Sequence, residues 1–370
     1  MNEALVYGGP PPAPPPAPLA RRLIFHGSGS PLFGIFLRNL ALSIVTLGIY
    51  YFWGKVRARR YILGHVEFEG DRFGYHATGK ELLLGWVKVA AFFAWLYIMQ
   101  IVVPLVWNSP VVGALFGLGF YLVFLLVYPI AVVGSRRFRL SRTSWRGIRF
   151  SFRGRARDFI RLQVGGTLLT LLTFGLYYAH FQNNVRRFLI THSAFGTTRF
   201  GYDGRGEDLL GIYLLAGVVI TFGLFGIFLI LFLVAAVGSS LPLGGMPPVI
   251  SVIVVSAGLA FLLLLFWMWF LAVRHRYYWG HTTVAEARFR SSVTAGKFYR
   301  LFAGDALRLI PTLGLAWPFV VVRHIRFTFA NLVLEGPLDV ETIQQEAQAA
   351  SAAGESLGEF FGLLDLDLGL

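Results

Sequence analysis

One motif recurs along the chain and limits its fold more than any other feature. Five times an apolar stretch runs into a basic segment ending in an arginine and an aromatic residue: Arg60-Tyr61, Arg137-Phe138, Arg187-Phe188, Arg276-Tyr277 and Arg326-Phe327. The first copy continues through His65, Phe68, Gly70, Arg72-Phe73, Tyr75, Gly79 and Glu81. A shift of 127 residues carries these onto His192, Phe195, Arg199-Phe200, Tyr202, Gly206 and Asp208, and shorter matches follow at shifts of 77, 216 and 266. In repeats of this kind each copy is one supersecondary unit that buries its apolar face against its neighbours. The units read as about 31–158, 159–298 and a truncated 299–336.

The solvent for such units is a bilayer. The chain of 370 residues is 56% hydrophobic and 14% charged, with a mean hydropathy of +0.63, outside the range of soluble domains. It has no cysteine, which excludes disulfides, thiolate catalysis and Cys-ligated metal. Met1 to Pro18 lacks the basic and apolar regions of a cleaved secretory signal, so removal of this segment is not expected. The net charge of +14 would suggest nucleic acid in a soluble protein. Here all Lys and Arg except Arg21, Arg22, Arg38, Lys88, Arg161 and Arg308 fall within the five motifs, while the connections around Asn108–Pro110 and Gly238–Pro248 carry none. That asymmetry follows the rule that basic loops stay cytoplasmic. Anionic lipid headgroups are the expected partners of the charge, and nucleic acid is not expected.

Four apolar runs, 89–107, 111–133, 209–237 and 249–273, are long enough to cross about 30 Å of hydrocarbon. Three others, 39–53, 164–178 and 309–322, hold only about 15 apolar residues, or roughly 22 Å of helix. Each is broken at one place, by Thr46-Leu47-Gly48, Thr173-Phe174-Gly175 and Thr312-Leu313-Gly314, and Arg38, Arg161 and Arg308 lie near their starts. If the short segments dip in and return, all five motifs share the cytoplasmic side and the long units are parallel repeats. If they cross, helped by snorkelling arginines, there are seven spans and the repeats are inverted. The expected fold class is therefore an all-α polytopic membrane protein with small cytoplasmic β-hairpins. It is an internally repeated helical bundle of four full spans plus three short or re-entrant segments, with seven spans as the alternative. In the first loop the alternation around Gly70-Asp71 predicts a hairpin pairing Phe68 with Phe73. The membrane domain, 23–336, lies between a disordered Pro-rich arm, 1–22, and an acidic tail, 337–370.

No catalytic constellation emerges, and an enzyme is not expected. The string from Gly74 to Glu81 resembles a phosphate-binding loop until Glu81 stands where a magnesium-holding Ser or Thr belongs, so it reads as a hairpin exit. His65, His192 and His281 share one repeat position. They read as hydrogen-bonded residues at a helix-to-hairpin junction, with a shared metal site or pH-sensitive element as the sharper reading. No cofactor is implied. The Arg-aromatic pairs, Arg60 and Arg187 among them, read as interfacial anchors. The functional alternative pairs them with Glu81, Asp158 and Asp208 in a buried ring. Arg38, Lys88, Arg161 and Arg308 are candidates because intramembrane charge marks function, and Asp305 lies one helical turn from Arg308.

Phe25-His-Gly27, Leu32-Phe-Gly34, Asn39, the string Thr46 to Trp53, Lys55-Val-Arg57, Arg60-Tyr61 and Gly79-Lys-Glu-Leu82 together resemble the YjgN family of bacterial inner-membrane proteins, which is built around a domain of unknown function. The likeness covers roughly 23–370 and omits the Pro-rich arm. It implies a multi-pass inner-membrane location and, because genes of this family look to lie beside those of membrane-linked metallopeptidases, a protease partner. Function then reads as a non-enzymatic scaffold or interaction platform. The alternative is a transporter or channel with its site at the broken segments, where a polar cavity would lead to Gly48, Gly175 and Gly314.

Overall fold

The computed structural model describes residues 20–237, 248–339 and Ile343; the Pro-rich stretch and most of the acidic tail lie outside them. The described chain is mostly helical and carries one sheet. Its helices are α1 (Gly29–Val45), α2 (Tyr51–Gly64), α3 (Gly79–Trp107), α4 (Pro110–Ser141), α5 (Ala156–Leu172), α6 (Tyr178–Thr191), α7 (Gly206–Val237), α8 (Pro248–Gly280), α9 (Ala295–Leu309) and α10 (Trp317–Ala330). Four of these, α3, α4, α7 and α8, are long and apolar enough to cross a membrane. At 1.5 Å per residue α3 extends about 43 Å, against about 25 Å for α1.

The Thr-x-Gly breaks are reversals between paired helices. Thr46 Oγ1 donates to the Leu42 carbonyl at 2.7 Å and accepts from the Tyr50 amide at 2.9 Å, so one side chain ends α1 and starts α2. Thr173 and Thr312 repeat both bonds. The next two residues take left-handed conformations, Leu47 and Gly48 at φ 50° and 90°, Phe174 and Gly175 at 50° and 91°, Leu313 and Gly314 at 48° and 86°. Gly48, Gly175 and Gly314 occupy the position after a helix end where only glycine is free of strain. The paired helices pack antiparallel: a Cβ on Gly54, Gly166 or Gly304 would meet Asn39, Phe181 or Arg323, residues lying about equally far on the other side of each turn. The exposed apolar surface of the α1–α2 hairpin begins at Leu37 on α1 and ends at Trp53 on α2. Leu37 to Val45 is roughly 13 Å deep. That is about half the hydrocarbon thickness.

Between the helix pairs lie β3 (Val66–Phe68), β4 (Asp71–Tyr75), β5 (Thr143–Trp145), β6 (Ile148–Phe152), β7 (Ser193–Phe195), β8 (Thr198–Tyr202), β9 (Thr282–Val284), β10 (Ala287–Ser291) and β11 (Leu332–Glu335). The expectation of small separate hairpins needs correction, because these strands join β1 (Ala20–Arg21) and β2 (Ile24–Phe25) in one eleven-stranded antiparallel sheet. The register explains the joining. Glu69 and Gly70, both at positive φ, make the two-residue turn, so Phe68 opposes Asp71 and not Phe73. Phe73 instead opposes Trp145 of the next hairpin, and Phe150 opposes Phe195, Phe200 opposes Val284 and Phe289 opposes Leu334. Apolar cross-strand pairs of this type stabilise a sheet by about 0.2–1 kcal/mol each. Here they act between hairpins and leave no open edge between them.

The sheet order begins with β1 and ends with β2, yet only Arg22 and Leu23 separate these two strands. The edges therefore meet across one kinked N-terminal strand, and the sheet closes on itself, which removes the unpaired edges an open sheet would expose. Residues 20–22, assigned to the disordered arm from sequence, are part of this closure: Arg21 opposes Leu334, pairs with Glu69 at 2.8 Å and donates to the Leu338 carbonyl at 2.8 Å. The helices close as well. Each packs on its neighbours in the chain, and α10 packs on α1, giving a ring of ten above the sheet.

Candidate functional site

The even-numbered helices end at the sheet in one manner. His65, His192 and His281 are C-caps whose Nδ1 contacts the carbonyl four residues earlier, of Tyr61, Phe188 and Tyr277, at 2.7–2.8 Å. Their rings lie 4.2–4.3 Å from those same aromatic rings. Asn331 fills the same slot through the Phe327 carbonyl at 2.8 Å. The histidines are thus spread around the ring in separate caps, and no group of three or more metal-capable side chains occurs among the described residues.

The Arg-aromatic pairs turn inward, where interfacial anchors had been expected. Arg60, Arg137, Arg187 and Arg326 donate to the carbonyls of Ala77, Gly154, Gly204 and Gly27 at 3.2, 2.8, 2.8 and 2.7 Å. Each acceptor stands two residues before a helix start, where a backbone oxygen has no helical partner. The aromatic members are buried, as with Phe138 and Phe188, or tie down the same entry: Tyr61 and Tyr277 each bond both the amide and the carbonyl of Ser28 and Arg205. The buried carboxylate ring is not formed. Glu81 pairs with Arg142 at 2.7 Å and completes a capping box with Thr78, which accounts for the Gly74–Glu81 string. Asp208 accepts from Tyr277 at 2.9 Å, and Asp158 is exposed. Asp305 binds Arg323 and His324 on α10 at 3.1 and 2.6 Å, leaving the expected partner Arg308 to bond the Gly304 carbonyl. Arg38, Lys88 and Arg161 are exposed.

The broken segments also stay apart. Leu47, Phe174 and Leu313 at their tips are 94%, 99% and 93% exposed, and nothing lies within 4 Å of a Cβ built on Gly48, Gly175 or Gly314. A small cavity of about 260 Å³ near Tyr177 is lined on one side by Arg161, without Gly175.

What the fold encloses lies at the other end. A cavity of about 470 Å³ fills the closed sheet and the helix ends above it. Its walls are layered by position relative to the caps. Three residues after each cap come Phe68, Trp145, Phe195, Val284 and Leu334; two residues before come Leu63, Leu140, Ile190, Trp279 and Phe329. A turn further into the helices stand Arg59, Arg136 and Arg186, all six residues before their caps, with Arg139 beside them. Neighbouring elements hold them: Arg59 donates to Tyr75 at 3.3 Å, Arg136 to Ser193 at 3.5 Å, and the Arg186 guanidinium lies 5.4 and 5.6 Å from the Tyr278 and Trp279 rings. Leu338 and Ile343 pack on the sheet end. Beside the chamber, burial pushes the Tyr202 phenol above its ordinary range, and the phenol donates to Asn183 at 2.7 Å.

Sequence reasoning selected Arg60, Arg137 and Arg187 and passed over Arg59, Arg136 and Arg186, one residue earlier. A residue step on a helix turns about 100°, so the two sets face different ways. The signal was the shared repeat position. Chemically, the chamber offers apolar and aromatic walls, a few hydroxyls and a cationic end. Among its described lining residues there is no Asp, Glu or His to act as acid or base.

Residues 20–360 match the family described as bacterial protein of unknown function (DUF898). The inner membrane protein YjgN of Escherichia coli K12 is 36% identical over 129 residues, 35% of this chain and 30% of that protein. The protein of the same name in Salmonella typhimurium LT2 is 33% identical over 132 residues, 35% of this chain and 31% of that one. The matched stretch thus spans less than a third of these relatives. No solved structure matches the chain.

Proposed function

The chain belongs to the DUF898 family and is a multi-pass inner-membrane protein, and from that premise we propose that it is a non-enzymatic platform built from five copies of one unit. In this reading each unit is a helix, a hairpin of two strands and the next helix. The fifth is assembled from α10, β11, the N-terminal strand and α1. All five basic segments face the cytoplasm, and the closed sheet beneath the helices is the surface offered to partners. Exposed Arg155, Arg157 and Arg205, at the starts of α5 and α7, meet anionic headgroups of the inner leaflet. A membrane metallopeptidase is the proposed protein partner.

The observation that carries this reading is the single sheet. Strands that hydrogen-bond side by side share one aqueous compartment, and every basic segment abuts one of them. The short helix pairs support it, since their apolar surface has the depth of about half a bilayer and their tips are apolar. They also weigh against transport: three of the five helix pairs stop short, so the ring makes no continuous wall across the membrane.

The absence of native cysteine gives a direct test. Single substitutions Asn184→Cys, Ser292→Cys and Ser109→Cys are labelled with an impermeant maleimide before and after the inner membrane is opened. Labelling of intact cells at position 109 alone is expected, with 184 and 292 reacting only after opening. Labelling of intact cells at 184 or 292 overturns the one-sided arrangement.

A further inference from the structure

We propose that the chamber inside the closed sheet is a binding site for a single-chain anionic amphiphile, a long-chain carboxylate of the fatty-acid type, with its tail among the aromatic layers and its headgroup at Arg59, Arg136, Arg139 and Arg186. This goes beyond the platform reading and does not depend on which side of the membrane the sheet faces.

Three features select that chemistry. The volume, about 470 Å³, lies within the roughly 300–1,000 Å³ usual for small-molecule sites. The charge is segregated: Phe68, Trp145, Phe195 and the layer above them are apolar, while four arginines gather at the helix end and no carboxylate occurs among the described lining residues. A hydrocarbon chain with one anionic end matches both parts. A neutral lipid leaves the guanidinium groups without an anion, and a small inorganic anion leaves the walls uncovered. Guanidinium groups are also suited to carboxylate, which they bind through paired N–H donors. Finally, the arginines are held in place before any ligand arrives. Arg186 is stacked on Tyr278 and Trp279, and Arg59 and Arg136 are oriented by Tyr75 and Ser193, which lowers the ordering cost of binding.

The competing occupant is the chain's own acidic tail, which follows Ile343 at the sheet end. Trp145 lines the chamber and reports on its content, because a brominated acyl chain quenches tryptophan only on contact. The full chain, purified in an uncharged maltoside detergent, is titrated with dibromostearate, and the Trp145 contribution is taken as the difference from Trp145→Phe. Saturable quenching of that contribution is expected. It should weaken about tenfold or more when the charge-assisted bonds are removed in Arg136→Gln/Arg139→Gln. Arg136→Lys/Arg139→Lys should retain part of the affinity, and the brominated alcohol of equal length should bind poorly. Size-exclusion profiles and the helical circular dichroism of the variants establish that they are folded. Quenching that tracks bulk detergent without saturating overturns the proposal, as does saturable quenching unaffected by the glutamine pair in a folded variant. Quenching seen only after removal of residues 345–370 also overturns it, and assigns the chamber to the tail.

Discussion

The short helix pairs and the long ones differ where they enter the membrane and agree where they leave the sheet. At the sheet, α2, α4, α6 and α10 each bring an arginine to a backbone carbonyl two residues before a helix start. Away from it, α1–α2 reverses at Thr46-Leu47-Gly48 after 17 residues, whereas α3 continues for 29. The buried clusters follow the same division: they sit at the sheet, around Phe52, Tyr75 and Phe138 or around Phe152, Phe159 and Phe188. In the spans, at most 11% of the most apolar windows is buried. Identity is therefore written at the sheet end, where polar groups must be satisfied and side chains interlock. The apolar ends can be lengthened or shortened freely, because lipid asks only for hydrophobicity.

The sharpest way to break this comparison is to truncate one large side chain in each region. Phe138 is 0% exposed, and Leu105 of α3 is 74% exposed. Phe138→Ala is expected to destabilise the protein by about 3–5 kcal/mol, and Leu105→Ala by under about 0.5 kcal/mol. Thermal unfolding in mild detergent compares them, and equal losses would mean that the spans carry as much stability as the sheet end.

Arginines allow a smaller test. Arg137→Ala removes the 2.8 Å bond to the Gly154 carbonyl and is expected to cost about 1–2 kcal/mol, part of it from the acceptor left unpaired. Arg161 is exposed on α5, and its replacement by Ala is expected to stay within about 0.5 kcal/mol. The same unfolding measurement decides, and a larger loss at Arg161 would return weight to the intramembrane arginines singled out in the sequence.

Much of the upper half was legible in the sequence, because a span is a property of contiguous residues. Gly79–Trp107 and Pro110–Ser141 contain two of the apolar runs, and the Thr-x-Gly breaks stand where the chain reverses. The sheet end was less legible because its contacts are long-range. The Gly70-Asp71 signal placed the hairpin one position late, since Glu69 takes the positive φ that sequence reasoning reserves for glycine. That shift moved Phe73 from a partner within its hairpin to Trp145, 72 residues on. Ala20 and Arg21 look like the end of a Pro-rich arm until β11, more than 300 residues away, supplies their partner. The chamber needs every one of these pairings, so its arginines could be found only as residues sharing a repeat position.

The finest test lies inside one helix pair. Gly175 follows the end of α5 at φ +91°, and Gly165 lies within α5; neither has any atom within 4 Å of a built Cβ. Packing therefore drops out, and only backbone conformation distinguishes them. At Gly175 an alanine must adopt the left-handed region, at a cost of about 1–2 kcal/mol. At Gly165 it relieves a helix of a flexible residue and is expected to stabilise by about 0.5–1 kcal/mol. Opposite signs in melting temperature for Gly175→Ala and Gly165→Ala are the expected outcome. If both destabilise, the short helix pair tolerates no added methyl at either site, and its tip is packed in the membrane against something other than lipid.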